Sequence, residues 1–87
     1  MKQIVIDVRE PEEYKSGHVK GAVNIPPADL LTLAEEKLPG IPKDAAIIVY
    51  CRTGSRSQVA KQIMEQLGYT NIVNGINKDW AEAKYLS

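Results

Sequence analysis

The sequence predicts an α/β domain: a small, mostly parallel sheet flanked by helices on both faces. Three observations carry this. AIIVY, Ala46 to Tyr50, is apolar at every position. That pattern marks a central strand covered on both sides, not a half-exposed one. Short Ile- and Val-rich runs alternate with stretches whose apolar residues recur at helical spacing. Such alternation builds βαβ units around a parallel sheet. The 87 residues suit one domain, spanning 1–87, with a modest core.

Gln3 to Val8 reads as the first buried strand. Pro11 suits the first position of a helix, Glu12 and Glu13 complement its dipole, and Gly17 ends it. Ala22 to Ile25 reads as a second strand, closed by Pro26 and Pro27. Asp29 reads as the N-cap of a helix over Leu30 to Leu38, with Leu30, Leu31, Leu33, Ala34 and Leu38 supplying apolar surface. The next six residues, PGIPKD, form a loop. After AIIVY and the loop CRTGSR, residues Val59, Ala60, Ile63, Met64 and Leu67 form one helical face, and Gly68 fits the C-terminal cap. Asn71 to Val73 is a short strand. Lys78 to Tyr85 is a last helix, with Trp80 and Ala83 expected to pack inward.

The 44% apolar and 25% charged content is that of an ordinary soluble domain. The formal net charge of zero gives no electrostatic reason to expect a nucleic-acid partner. No stretch reaches the roughly 20 apolar residues that cross a bilayer, so no membrane partner is expected. In MKQIVIDVREPEEY, Asp7 interrupts the apolar run, so a signal peptide is not expected and a cytoplasmic protein is. The single cysteine forms no internal disulfide, and with one histidine beside it no cysteine-rich zinc site.

That cysteine, Cys51, ends the central strand. In parallel sheets ligands bind beyond the carboxyl ends of strands. The loop after it runs into a helix N-terminus, where backbone N–H groups lack helical partners and the dipole is positive. Gly54 lets the loop curl so that successive N–H groups point inward as an anion nest. Arg52 and Arg56 add permanent charge. Each of these favours thiolate over thiol, and such surroundings bring a thiol pKa from about 8.5 to roughly 3.5–7.5. A lone cysteine after a buried strand is ordinarily an inert small hydrophobe. A glycine and two arginines within five residues of it are hard to explain by packing, which favours a nucleophile.

The segments IDVREPEEYKSGHVKGAVNIP, IIVYCRTGSRSQVAKQIMEQLGYTNI and NGINKDW together resemble the rhodanese family of sulfurtransferases, in its single-domain form. The resemblance implies a rhodanese-like fold and a two-step sulfur transfer. Cys51 would take the outer sulfur of a small anionic donor such as thiosulfate as a persulfide. A thiol, cyanide or a protein acceptor would then remove it. The resemblance implies that Cys51 is catalytic, that Arg52, Thr53, Gly54, Ser55 and Arg56 bind the substrate sulfur, and that no metal or organic cofactor is needed. The family's common glycine pair before the last helix is Asn74-Gly75 here, and Lys20 replaces a small residue or proline. The chain starts almost on its first strand, without the extra strand and helix of many members. A monomer is expected.

Other residues have blander readings. Asp7 and Arg9 read as a structural ion pair that fixes loops beside the site. His18 reads as a hydrogen-bonding residue in the Gly17-His18-Val19 turn. Arg56 reads as a loop anchor and Arg52 as a charge at the pocket mouth. Ser55 and Ser57 bond within the loop or cap the helix. Tyr50 and Trp80 read as core or rim residues. Two alternatives to a sulfurtransferase remain at this stage: a persulfide relay that serves a partner protein, and a cysteine-dependent phosphatase or arsenate reductase. The six-membered loop, one residue shorter than the phosphatase type, argues against the latter. So does the lack of an obvious general acid, for which Asp29 and Glu35 are the nearest candidates.

Overall fold

A computed structural model describes residues 3–30 and 40–85. Strands β1 (Ile4–Asp7), β2 (Val23–Asn24), β3 (Ile47–Cys51) and β4 (Ile72–Asn77) form one sheet in the order β2-β1-β3-β4. Every pairing is parallel. The described helices are α1 (Pro11–Ser16), α2 (Ser55–Gln66) and α3 (Lys78–Tyr85).

All five residues of β3 are buried, as a central strand between two layers requires. Its alternation divides the core. Ile47, Val49 and Cys51 share one face with Ile6, Val8 and the α2 residues Ala60 and Met64. Ile48 and Tyr50 share the other with Val5, Val19 and Ala81 of α3, and Tyr14 of α1 packs against this group. Each aliphatic side chain so buried contributes roughly 1.5–3 kcal/mol. The strand that carries Cys51 is therefore the most firmly held part of the sheet.

Helix α1 begins with Pro11 and carries Glu12 and Glu13 in its first turn. Glu10 and Glu13 close a capping box at its start, and Gly17 follows its end. Asp29 falls within a 3-10 turn, Pro27–Asp29, that delivers Leu30 to the core. The remainder of the helix expected over Leu30 to Leu38, Glu35 included, lies outside the described residues.

Three expectations are corrected. First, α2 buries Ser57, Ala60 and Met64, while Val59 is 49% exposed. Neighbouring helical residues point about 100° apart, so burial of Ala60 turns Val59 outward. Second, α3 turns Ala81 inward, whereas Trp80 is 46% exposed and Ala83 is exposed. The layer between β4 and α3 is too thin for an indole. A methyl group on Gly75 would stand 2.9 Å from Ile48 Cγ2 and 3.1 Å from Ala81 Cβ.

Third, β4 does not stop at Val73 but continues to Asn77. Val49 pairs with Asn74 and Tyr50 with Ile76, so Gly75 is an extra residue in a bulge. Ile76 follows at a positive φ of 70°, and its N–H donates to Asn74 Oδ1 at 2.9 Å. The bulge returns the strand to the ladder so that Asn77 stands opposite Cys51. Asn77 Oδ1 also accepts the Trp80 N–H at 2.7 Å, capping α3. The start of α3 is thus fixed beside the cysteine.

Candidate active site

Cys51 is the last residue of β3 and is buried. Gly54, at a left-handed φ of 97°, turns the loop back so that its N–H donates to Cys51 Sγ at 3.1 Å. Helix α2 starts at the next residue, and Ser57 in its first turn places Oγ 3.5 Å from the sulfur. Burial by itself pushes the Cys51 thiol up. Hydrogen bonding with the Ser57 side chain, once its hydroxyl turns to the sulfur, and with the N–H groups of Ser57, Thr53 and Gly54 outweighs it, and the pKa falls to about 7. The leading stabilisers of the thiolate are therefore loop dipoles and a hydroxyl, with the arginine charges secondary.

Arg56 turns its guanidinium to Glu13 on α1, donating to Oε1 at 2.8 Å and Oε2 at 3.1 Å. This pairing is the main reason the Glu13 carboxyl drops to about 2, helped by the Glu10 N–H it accepts. Arg56 thereby anchors the start of α2 to α1. The Arg52 side chain is 74% exposed, and its Nε lies 4.0 Å from Glu13 Oε2. The Thr53 and Ser55 hydroxyls bond to each other at 3.2 Å on the exposed side of the loop.

Asp7 is fully buried and accepts from Arg9 Nε and Nη2 and from the Tyr50 hydroxyl at 2.8 Å. Tyr50 Oη in turn accepts the Val19 N–H at 3.0 Å. Burial raises the Tyr50 phenol to about 12, so it stays a donor to Asp7. Arg9 Nη2 also holds the Gly17 carbonyl. His18 donates from Nδ1 to the Tyr14 carbonyl at 2.8 Å and stacks on the Tyr14 ring at 3.7 Å. The Asp7–Arg9 pair and His18 thus hold the loops after β1 and α1 in place.

An open cleft of about 290 Å³ lies over the sulfur, lined by Arg9, Cys51, Arg52, Asn77, Lys78 and Asp79. The structure therefore brings Cys51 and Arg52 to the cleft and turns Arg56, Thr53 and Ser55 to other partners. Sequence reasoning missed Asn77, Lys78 and Asp79, and gave Arg9 only its structural part. The signal for them is topological. Residues that follow the carboxyl ends of neighbouring parallel strands converge on one edge of the sheet. Three cations, Arg9 paired with Asp7 and Lys78 with Glu82, line the cleft with one carboxylate, Asp79, beside a thiol whose pKa is lowered to about 7, which suits the capture and attack of a small anion.

The comparisons with known proteins agree. The Rhodanese-like domain family matches residues 1–83. Thiosulfate sulfurtransferase PspE of Escherichia coli (strain K12) is 43% identical over 81 residues, covering 91% of this chain and 75% of that protein. Among solved structures, a rhodanese with anions from E. coli superposes with a TM-score of 0.80 at 36% identity, over 90% of this chain and 89% of that one. The human single-domain sulfurtransferase TSTD1 gives a TM-score of 0.75 at 28% identity, over 94% and 83%. Fold, loop and sequence lead to one conclusion: this chain belongs to the rhodanese family.

Proposed function

We propose that this protein is a thiosulfate sulfurtransferase working through a persulfide on Cys51. The observation that carries the reading is the Gly54 N–H aimed at Cys51 Sγ at 3.1 Å, beneath a cleft walled by Arg9, Arg52 and Lys78. With its pKa lowered to about 7, the thiol supplies thiolate at neutral pH. The thiolate attacks the outer sulfur of thiosulfate. The sulfur–sulfur bond of the donor breaks, and sulfite leaves with its electron pair. The new terminal sulfur carries the negative charge, and the loop N–H groups stabilise it. An acceptor then attacks that sulfur, and Cys51 departs as thiolate. Cyanide leaves as thiocyanate and a thiolate as a persulfide.

Neither half of this cycle moves a proton at the enzyme, so no general base is required. That agrees with His18, which is committed to the Tyr14 carbonyl. The open cleft admits a thiol on a small molecule or on a protein. The test is thiocyanate formation from thiosulfate and cyanide. Native protein is expected to turn over and Cys51→Ser to be inactive. Equal turnover by both would overturn the proposal.

A further inference from the structure

The Asn74 side chain is fully engaged. Oδ1 accepts the Ile76 N–H at 2.9 Å, and Nδ2 donates to the Gly54 carbonyl at 3.0 Å and to Gln58 Oε1 at 3.3 Å. A backbone N–H only donates and a carbonyl only accepts, so these partners fix which amide atom is oxygen. The third contact follows. Ser57 Oγ lies 2.6 Å from Asn74 Oδ1, and because that oxygen only accepts, the Ser57 hydroxyl donates to it.

A serine hydroxyl has one proton. The 2.6 Å bond to Asn74 is short for O–H···O, while Cys51 Sγ is 3.5 Å away on the other side. In this arrangement Ser57 offers the sulfur a lone pair, which suits a thiol S–H. To stabilise a thiolate, the hydroxyl must rotate and leave Asn74. Asn74 Oδ1 keeps the Ile76 N–H when that happens, so the exchange is feasible but opposed.

We infer that Asn74 is a positioning residue that competes with the Cys51 thiolate for the single Ser57 hydroxyl proton, while clamping the Gly54 carbonyl of the loop. A glycine at this position offers no such competitor. Other charged groups around the sulfur are Arg9 beyond β1, Arg52 on the loop, Lys78 and Asp79 at the start of α3, and Arg56 of α2 paired with Glu13 of α1. None of them is hydrogen-bonded to Ser57 or Asn74 among the described residues, so their effect is common to every variant below.

The inference rests on Cys51 being the reacting group, but its test uses no sulfur donor. The rate of iodoacetamide alkylation is followed against pH for native protein, Asn74→Ala, Ser57→Ala and the double variant. Loss of the Gly54 clamp affects both backgrounds alike, so the cycle isolates the competition. With Ser57 present, the midpoint for Asn74→Ala is expected to fall by roughly half a unit to one unit relative to the change it makes in the Ser57→Ala background. The same shift in both backgrounds would overturn the inference. Thermal melting checks that each variant folds, and Asn74→Gly replaces Asn74→Ala if the latter does not. Absence of a persulfide would refute the proposed activity and leave this alkylation result standing.

Discussion

Arg56 and Glu13, 43 residues apart, are joined by two hydrogen bonds of 2.8 and 3.1 Å. The pair ties the first turn of α2 to the first turn of α1 and so braces the cysteine loop from outside. It also directs the Arg56 charge away from a purely substrate-facing role.

Acid stability is expected to report this pair. A free glutamate titrates near 4.3, but Glu13 titrates at about 2 in the folded protein. A depressed carboxyl contributes stability that is complete above the unfolded value and is lost as pH falls through the folded value. Because both side chains are partly exposed, the contribution is about 1 kcal/mol or less. Glu13→Gln should therefore melt below the native protein at pH 7, and the difference should close as pH approaches about 2. A difference that persists unchanged at that pH would contradict the assignment.

The loop depends on the left-handed conformation of Gly54. Gly54→Ala must hold an alanine at φ 97°, with its methyl 3.4 Å from Ile76 Cγ2. The strain costs on the order of 1 kcal/mol or more. A loop that relaxes no longer aims its N–H at the sulfur, so the alkylation midpoint of Cys51 should rise above that of the native protein, expected at about 7. An unchanged midpoint in a folded variant would show that the Gly54 N–H does not set the thiol.

Tyr50 fastens the turn after α1 to the sheet. Tyr50→Phe leaves the Val19 N–H and one donor to Asp7 unreplaced in a buried setting. The expected loss is about 1–3 kcal/mol in urea unfolding, with the Cys51 alkylation midpoint unmoved. A neutral effect on stability would contradict this role and mean that water takes over both bonds.

Charge at the cleft should act on the donor rather than on the nucleophile. Arg52→Ala and Lys78→Ala are each expected to raise KM for thiosulfate roughly two- to five-fold, as a partly exposed charge contact allows. The native advantage should shrink with added salt, and turnover of a neutral thiosulfonate should stay unchanged. Equal losses with charged and neutral donors would point to a structural effect instead.

What the sequence made legible was local. Val49 to Ser57 carries its own grammar: an apolar strand, a cysteine, a glycine that bends the loop and a helix start. The cysteine and its nest were therefore readable, as was the parallel α/β sheet. The cleft wall was not, because Arg9, Lys78 and Asn77 meet Cys51 only through the order of β1, β3 and β4. The sequence reading ends the last strand at Val73 and gives Gly75 no part in it. In the fold it is the bulged residue that lets β4 run on to Asn77. Trp80 is expected from the sequence to pack inward, but the space available is set by the approach of Gly75 to Ile48 and Ala81, a tertiary quantity. The role of Asn74 was hidden for the same reason, since Ser57, Gly54 and Ile76 converge on it only in three dimensions.

The most direct test of the central claim is intact-protein mass spectrometry under non-reducing conditions after brief exposure to thiosulfate, with Cys51→Ser alongside. The account predicts that the native protein alone gains the mass of one sulfur atom and loses it again when cyanide is added. A folded native protein whose thiol reacts with iodoacetamide but gains no sulfur at any thiosulfate concentration would contradict it.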